Sequence, residues 1–335
     1  MSHPTLKVGI IGLGVGESHI AGYNLSESCK VIALCDFDKQ KLFEVRARHP
    51  GIRLFDDAAS ILNDPTINVV SIATFDTFHY EQIITAIKNG KHVFVEKPLC
   101  LFQHELDGIK KALNKNPHIR LSSNLILRCT SRFKELRRRI MNDDLGRLYY
   151  IEGDYDYGRI HKLTEGWRGK IPYYSVIHGG AIHLIDLILW LSEQYPEEVF
   201  AYGNRISSEG TTFRHNDFVA ALLKFESGLV AKISANFASV TIHGHKLCIY
   251  GTKGTFIHGH NDAFYYKSRD PDAIPELVND IYPDANKGDM IPSFIRYILH
   301  GERPLITAKE VLEAMAVSLS VEQSVLKHRP IKLKL

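Results

Sequence analysis

Several features that would narrow the function of this protein are absent from its sequence. No stretch stays apolar over the roughly 20 residues that a membrane-spanning helix needs. The N-terminus, MSHPTLKVGI, also lacks the basic start and long apolar run of a secretory signal peptide. We therefore expect a cytoplasmic protein that does not bind membranes.

The sequence also argues against a disulfide-bonded, nucleic-acid-binding or metal-binding protein. The five cysteines are odd in number and show no CxxC spacing, which favours reduced thiols over disulfides or zinc ligands. A formal net charge of +3 on 335 residues is too small to favour nucleic-acid binding. Two histidine pairs, His243/His245 and His258/His260, lack a third ligand at a suggestive spacing, so we predict no metal site.

The sequence does contain a dinucleotide-binding pattern at its start. Residues 6–11 are predicted to form a buried strand, and Gly12 and Gly14 follow where the backbone must turn and leave room for a pyrophosphate. The next predicted strand ends in Asp36, at the spacing where a carboxylate can bind the adenosine ribose. Because Asp36 would repel a 2′-phosphate and Phe37 replaces a common NADP-binding cation, NAD is favoured over NADP.

The third glycine position of this pattern is irregular. Glu17 occupies it, and Gly16 comes one residue early. Since the third glycine normally allows close packing of helix on strand, we expect a slightly displaced helix start. We also expect the Glu17 side chain to point away from the phosphates.

Strand and helix patterns alternate through the first part of the chain. This alternation predicts an α/β Rossmann domain with a parallel, doubly wound sheet over residues 1–122, and ligands bind such sheets at the carboxyl ends of the strands. Polar and aromatic residues follow two of those ends. They are Thr74, Phe75 and His79 after the fourth strand, and Glu96 and Lys97 after the fifth.

Lys97 is the chemical candidate at this edge of the sheet. A lysine in a loop is most often solvated. In a ligand cleft, however, it can hydrogen-bond or exchange a proton with a substrate hydroxyl. Glu96 either holds Lys97 in place or caps the next element.

The pattern changes from residue 123 onward. Strands joined by short turns, including a hairpin of 247–250 with 255–257, predict an α+β domain over 123–335 with a largely antiparallel open sheet. Residues 218–225 are apolar on both faces and are expected to form an inner strand. Residues 229–237 alternate and are expected to be covered on one face.

Residues 177–191 form an apolar helical pattern that carries His183 and Asp186 on one side. A histidine in such a setting is more often a satisfied core residue than a catalyst. The loop before the helix contains Trp167 and Arg168, and its aromatic side chains suit either sugar stacking or packing. The arginines between 128 and 139 are either a solvated helix face or, in part, phosphate ligands.

These residues together resemble the Gfo/Idh/MocA family of nicotinamide-dependent oxidoreductases, whose members act mostly on sugars, sugar nucleotides and cyclitols. The resemblance covers nearly the whole chain, and its most specific motif is Glu96-Lys97-Pro98. The other matching positions are Gly12, Gly14, Asp36, Ala73-Thr74, His79, Asn124, Arg128, His183, Asp186 and the turn at 251–254.

The resemblance implies roles for individual residues. It places Lys97 beside the nicotinamide and the substrate, and it makes His183 a general acid or base that faces the substrate. Cofactor-binding residues would be Gly12, Gly14, Asp36, Thr74, Phe75, His79, Glu96, Lys97 and Asn124. Substrate-binding residues would be Lys97, Arg128, Tyr157, Trp167, Arg168, His178 and His183.

One position departs from the family pattern. Many members carry an aspartate four residues before the catalytic histidine, where this chain has Gly179. His178 either compensates for it or is a loop histidine.

Taken together, the residues and the resemblance predict hydride transfer between NAD(P) and a carbinol carbon of a sugar, sugar nucleotide or cyclitol, with a non-catalytic NAD or sugar sensor as the alternative. The family's second sheet often packs on another subunit, which implies a homodimer or homotetramer.

Overall fold

A computed structural model describes residues 5–333, and the chain divides into two compact units. The first contains the chain up to Cys129 together with Ala285–Leu312, and the second contains Thr130–Asp284 together with the chain from Glu313. The prediction was two continuous domains, 1–122 and 123–335, whereas each observed unit is built from two separate segments of the chain. Segment Ala285–Leu312 belongs to the first unit, where Phe294 packs on Phe94 with ring centroids 5.8 Å apart. The sequence does not show this, because the periodicity of a helix does not indicate which core the helix joins.

The helices of the described residues are numbered in chain order. They are α1 (His19–Asn24), α2 (Lys39–Arg48), α3 (Ala59–Leu62), α4 (His79–Lys88), α5 (Gln103–Lys115), α6 (Ser131–Met141), α7 (His161–Thr164), α8 (Ile182–Ser192), α9 (Ile291–His300) and α10 (Ala308–Lys327). Asp38 caps α2, because its side chain accepts hydrogen bonds from the backbone N–H groups of Gln40 and Lys41. No helix in this part of the chain combines the length and the apolarity that crossing a bilayer requires.

The first unit contains a six-stranded parallel sheet, as predicted. Its strands are β1 (Leu6–Ile11), β2 (Cys29–Cys35), β3 (Arg53–Phe55), β4 (Val69–Ile72), β5 (His92–Val95) and β6 (Leu121–Ser123). Their order is β3-β2-β1-β4-β5-β6, which is the Rossmann order. Val8, Ile10 and Val70 are fully buried at its centre, and each such side chain stabilises the fold by about 1.5–3 kcal/mol. The order reverses between β1 and β4, which places the ligand crevice at the carboxyl ends of these strands.

The second unit contains a nine-stranded sheet. Its strands are β7 (Leu148–Asp156), β8 (Pro196–Asn204), β9 (Phe218–Phe225), β10 (Val230–Asn236), β11 (Gly244–Gly251), β12 (Thr255–His258), β13 (Ala263–Tyr266), β14 (Glu276–Leu277) and β15 (Ile331–Lys332). The order is β14-β13-β12-β11-β7-β10-β9-β8-β15. Only β7 and β10 pair in parallel among these described strands, so the prediction of a largely antiparallel sheet is confirmed.

Strand β9 is an inner strand, as predicted, because it pairs with both β8 and β10. On its second face, Leu222 is 52% exposed and is left uncovered by residues 5–333. The predicted helix over 177–191 is also modified. Its first turn, Ile177–Ala181, is a π-helix, and α8 follows it. The helix is buried on almost every side, and Leu189 and Trp190 near its end are only partly covered.

Candidate functional site: a dinucleotide loop and an aromatic-histidine cluster

The turn after β1 requires glycine. Gly12 has a φ of +87°, and a β-carbon there would overlap the Ala73 carbonyl group at the end of β4. Its N–H donates to the Cys35 carbonyl oxygen at 2.8 Å, which ties the turn to the end of β2. A side chain at this position would therefore be both strained and blocked.

Gly16 performs the packing expected of the third glycine. A β-carbon at Gly16 would lie 2.9 Å from the Ile10 side chain and 3.1 Å from the Ala73 β-carbon. A short 3₁₀ turn, Gly16–Ser18, precedes α1, so the regular helix begins only at His19. The glycine that allows this packing is visible in the sequence, but it lies one residue before the third position of the usual glycine pattern.

Glu17 turns away from the loop, as expected. Its carboxylate accepts hydrogen bonds from Arg48 Nε at 2.7 Å and Nη2 at 3.0 Å, and it lies 3.1 Å from His49 Nε2. The hydrogen bond from Arg48 keeps the pKa of Glu17 below its usual value. This carboxylate is therefore neutralised by the end of α2.

Asp36 braces the same loop. It is 6% exposed, and its two oxygens accept hydrogen bonds from the backbone N–H groups of Leu13 at 2.8 Å and Asp38 at 3.0 Å. Each carboxylate oxygen has a second lone pair, so these bonds leave capacity for ribose hydroxyls. Asp36 thus has the position and the acceptor capacity that dinucleotide binding requires.

His79 has a positioning role in this structure. The side chain is fully buried, with Nδ1 2.6 Å from the Pro98 carbonyl oxygen and Nε2 3.2 Å from that of Thr74. It therefore joins the loops that follow β4 and β5, and its predicted contact with the cofactor stays a prediction. Thr74 itself is partly exposed and donates to Gln82 Oε1 at 3.0 Å.

Glu96 and Asn124, both predicted to contact cofactor, bind each other instead. Asn124 is fully buried, and its Nδ2 donates to Glu96 Oε1 at 2.7 Å and to the Lys287 carbonyl oxygen at 3.0 Å. His19 Nε2 lies 3.2 Å from the same Glu96 oxygen, and His19 Nδ1 lies 2.9 Å from Ser71 Oγ. Sequence reasoning missed His19 and Ser71, because neither residue belongs to a local motif.

This buried network keeps Glu96 ionised. Burial alone raises the pKa of Glu96, but the hydrogen bond from His19 and the charge of Lys287 outweigh it, together with Asn124, and lower the pKa to about 2. Lys97 is the next residue and is partly exposed at the end of β5. Of the two alternatives for Glu96, the structure therefore favours the one in which it anchors the turn that carries Lys97.

Arg128 forms a buried ion pair. It is 1% exposed, and its Nη1 donates to the Leu305 carbonyl oxygen at 2.9 Å and to Glu310 at 2.8 Å. Its predicted contact with the substrate stays a prediction. A buried arginine without these partners would be strongly destabilising, so they are required by the fold.

The other arginines of the basic run are also occupied within the second unit. Arg132 is 2% exposed and donates to the carbonyl oxygens of Asn261 at 2.7 Å and Asp280 at 2.6 Å. Arg138 and Arg139 form ion pairs with Glu135 at 2.7 and 2.9 Å. A phosphate-binding role for this run is not supported.

His183 lies in a cluster of aromatic and histidine side chains in the second unit. It is 5% exposed on α8, with its ring 5.9 Å from that of His245. The Tyr155 ring contacts those of His243 and His245 at 5.4 and 5.1 Å, and the Tyr157 ring contacts the His243 ring at 5.5 Å. These polar rings can hold a hydroxylated ligand or a proton, which an aliphatic core cannot do. We call this group the aromatic-histidine cluster.

From their spacing in the sequence, His243 and His245 could be judged only as metal ligands. Both are partly exposed, and His245 Nδ1 lies 2.9 Å from the Tyr282 hydroxyl. No group of three or more candidate metal ligands occurs within residues 5–333. The histidine pair therefore belongs to the aromatic-histidine cluster.

Gly179 is required by its neighbour Tyr174. A β-carbon at position 179 would overlap the Tyr174 hydroxyl, which accepts a hydrogen bond from Arg168 Nε at 3.0 Å. An aspartate therefore does not fit at position 179 while Tyr174 holds this place. Trp167 lies edge-on to Tyr174, with ring centroids 6.1 Å apart, and Arg168 stacks over Trp167 at 4.7 Å.

His178 lies against α10. Its side chain is 1% exposed, and Nδ1 lies 2.7 Å from Ser318 Oγ on that helix. It therefore fixes the π-helical turn to α10, and its predicted contact with the substrate stays a prediction.

Comparisons with known proteins agree with both units. A family model described as an oxidoreductase family with an NAD-binding Rossmann fold matches residues 6–124, and the Gfo/Idh/MocA C-terminal domain model matches residues 133–257. Myo-inositol 2-dehydrogenase of Thermotoga maritima is 23% identical, and the match covers 98% of this chain and 99% of the relative. For scyllo-inositol 2-dehydrogenase (NAD(+)) of Bacillus subtilis, identity is 25% and the coverage is 98% and 96%.

A solved structure shares the fold over the same length. Levoglucosan dehydrogenase, in complex with NADH and levoglucosan, matches with a TM-score of 0.84 at 20% identity, and the match covers 98% of this chain and 99% of that one. Together, the matches to both family models, the Rossmann strand order and the glycine turn braced by Asp36 show that this chain belongs to the Gfo/Idh/MocA family of oxidoreductases.

Proposed function

We propose that this protein transfers a hydride between NAD and a secondary carbinol carbon of a cyclitol or a related sugar. The observation that carries the proposal is the turn after β5, where a buried, ionised Glu96 holds the backbone next to a partly exposed Lys97. The full-length similarity to two inositol dehydrogenases supports a cyclitol as substrate.

The side chains supply binding and proton management. We assign Lys97 to the reacting oxygen, where its ammonium group would hydrogen-bond and polarise the hydroxyl. His183 would take the hydroxyl proton during oxidation and return it during reduction. The nicotinamide ring, when bound, would accept the hydride during oxidation of the substrate.

The proposal includes a preference for NAD over NADP. Asp36 would accept hydrogen bonds from both ribose hydroxyls, whereas its charge would repel a 2′-phosphate. Phe37 is 70% exposed and lies edge-on to Phe75, with ring centroids 5.8 Å apart. Both rings follow strand ends at the crevice, which supports contact of Phe75 with the cofactor.

Substrate contacts are assigned to the second unit. Tyr157 belongs to the aromatic-histidine cluster and packs on Phe237 at 4.6 Å. Trp167 and Arg168 are partly exposed in the loop before α8. Aromatic faces and a guanidinium group suit the apolar and hydroxylated surfaces of a sugar ring, respectively.

A reduction assay tests the proposed function. Purified protein is incubated with NAD⁺ or NADP⁺ and a panel of myo-inositol, scyllo-inositol, levoglucosan and glucose, and the absorbance of the reduced nicotinamide is followed. We expect reduction of NAD⁺ with at least one cyclitol. Tight NADH binding without turnover on any substrate would favour a sensor instead, an alternative that Gly179 suggests.

We also propose that the outer face of the nine-stranded sheet packs on a second copy of this chain. The strand register aligns one row of side chains across that face. The row is apolar at both ends, and in its middle Glu152 and Lys232 form an ion pair at 2.7 Å. The row is Leu277, Phe264, Ile257, Cys248, Glu152, Lys232, Leu222 and Phe200. An exposed apolar patch of this kind is typical of an interface.

Sedimentation velocity tests this assembly. We expect a dimer or tetramer for the wild-type protein and a smaller species for Leu222→Arg, because a buried arginine would lack a partner. Leu25→Arg, at a position 75% exposed in the first unit, is the matched control and should assemble normally. A monomeric wild-type protein would refute the proposal.

A further inference from the structure

An unpaired cation stands beside the phosphate loop. The Lys41 ammonium nitrogen, on α2, lies 3.8 Å from the point where a β-carbon on Gly14 would stand. Gly14 is exposed, and Lys41 is partly exposed. The absence of a side chain at Gly14 therefore leaves open space in front of this ammonium group.

The neighbouring charges are already paired. Lys39 pairs with Asp56 at 3.7 Å, and Arg48 pairs with Glu17 at 2.7 Å. Within residues 5–333, Lys41 has no carboxylate partner. The Glu17 carboxylate accepts a hydrogen bond from Arg48 and lies 3.1 Å from His49 Nε2, and Lys41 is the cation that the structure places beside Gly14.

The second glycine of a Rossmann turn is the place where the backbone approaches the pyrophosphate. A lysine ammonium group binds phosphate as a compact point charge. We propose that Lys41 binds the pyrophosphate of the dinucleotide over Gly14. This inference rests on the proposed use of NAD, and it assigns a binding residue outside the glycine motif and Asp36.

The ligand is the pyrophosphate rather than a 2′-phosphate. Asp36 occupies the ribose end of the loop, and its carboxylate would repel a phosphate there. Lys41 is instead closest to Gly14, two residues after the turn at Gly12.

Cofactor titration tests the proposal. The dissociation constants of NADH, NADPH and adenosine are measured calorimetrically for the wild-type protein, Lys41→Ala, Lys41→Arg and Lys39→Ala. We expect Lys41→Ala to weaken NADH binding roughly tenfold, with partial recovery in Lys41→Arg and a smaller difference at high salt. Lys39→Ala is the matched control, because its ammonium group is already paired with Asp56, and it should bind NADH normally.

The ligands separate the possible sources of an effect. Equal losses for NADH and NADPH with unchanged adenosine binding support a pyrophosphate contact. A loss confined to NADPH would place Lys41 at the 2′-phosphate and overturn the proposal, as would NADH binding by Lys41→Ala equal to that of Lys39→Ala. A wild-type protein that binds no NADH would instead refute the proposed function itself.

Discussion

Replacement of Lys97 by alanine is expected to lower turnover by roughly a hundredfold or more, with NAD affinity nearly unchanged. The reason is that the Lys97 ammonium group is assigned to the reacting oxygen, whereas Asp36 and the glycine turn are assigned to the adenosine and pyrophosphate end of the cofactor. The backbone at this position is held by Glu96, Asn124 and His19, so removal of the side chain should leave the turn intact. Steady-state turnover and NADH titration measure the two effects separately.

Two further variants make this test specific. Lys88→Ala removes an exposed lysine at the end of α4 and should retain full activity. Lys97→Arg preserves the positive charge but cannot exchange a proton, because arginine stays protonated. Partial activity in Lys97→Arg would support electrostatic polarisation of the reacting hydroxyl. Unchanged turnover in Lys97→Ala would contradict the assignment.

Replacement of His183 by glutamine is expected to have the second-largest effect, also about a hundredfold on turnover. Glutamine is similar in size and can hydrogen-bond, but it cannot accept a proton near neutral pH. The side chain is 5% exposed and packs against His245, so a purely structural histidine is the competing explanation. The pH dependence of turnover separates the two roles, because loss of a general base removes the corresponding limb of the profile.

The control for His183 is an exposed histidine in the same unit. His161→Gln, at the start of α7, should leave both turnover and its pH profile unchanged. Thermal denaturation of both variants checks the fold. If His183→Gln keeps the wild-type pH profile and loses only stability, His183 is a core residue and its catalytic role is refuted.

Local sequence patterns were sufficient to predict much of the structure of the first unit. The apolar residues of β1 and the glycines after it depend on neighbouring backbone geometry, so spacing alone located the dinucleotide loop. The position of Lys97 after β5 was predictable for the same reason. The outward direction of Glu17 also followed from its charge near a phosphate site, although its partner Arg48 did not.

The buried settings of His79, Asn124 and Arg128 escaped prediction for a common reason. Each residue was judged by the strand end or helix that it follows, and each is fully or almost fully buried in the structure. Arg128 binds Glu310, 182 residues later in the sequence, and no spacing rule extends over that distance. A residue near a site is therefore not necessarily exposed to it.

By itself, the sequence determined the order of strands and helices, the dinucleotide loop, the change from a parallel to an antiparallel sheet, and the positions of Lys97 and His183 on their elements. These depend on short-range steric and periodic constraints, which a few neighbouring residues express. Only the tertiary structure decided that Glu96 is anchored by His19, that Tyr174 occupies the space beside Gly179, and that Lys41 faces Gly14. Such contacts join residues distant in sequence, and packing selects them only once the whole core has formed.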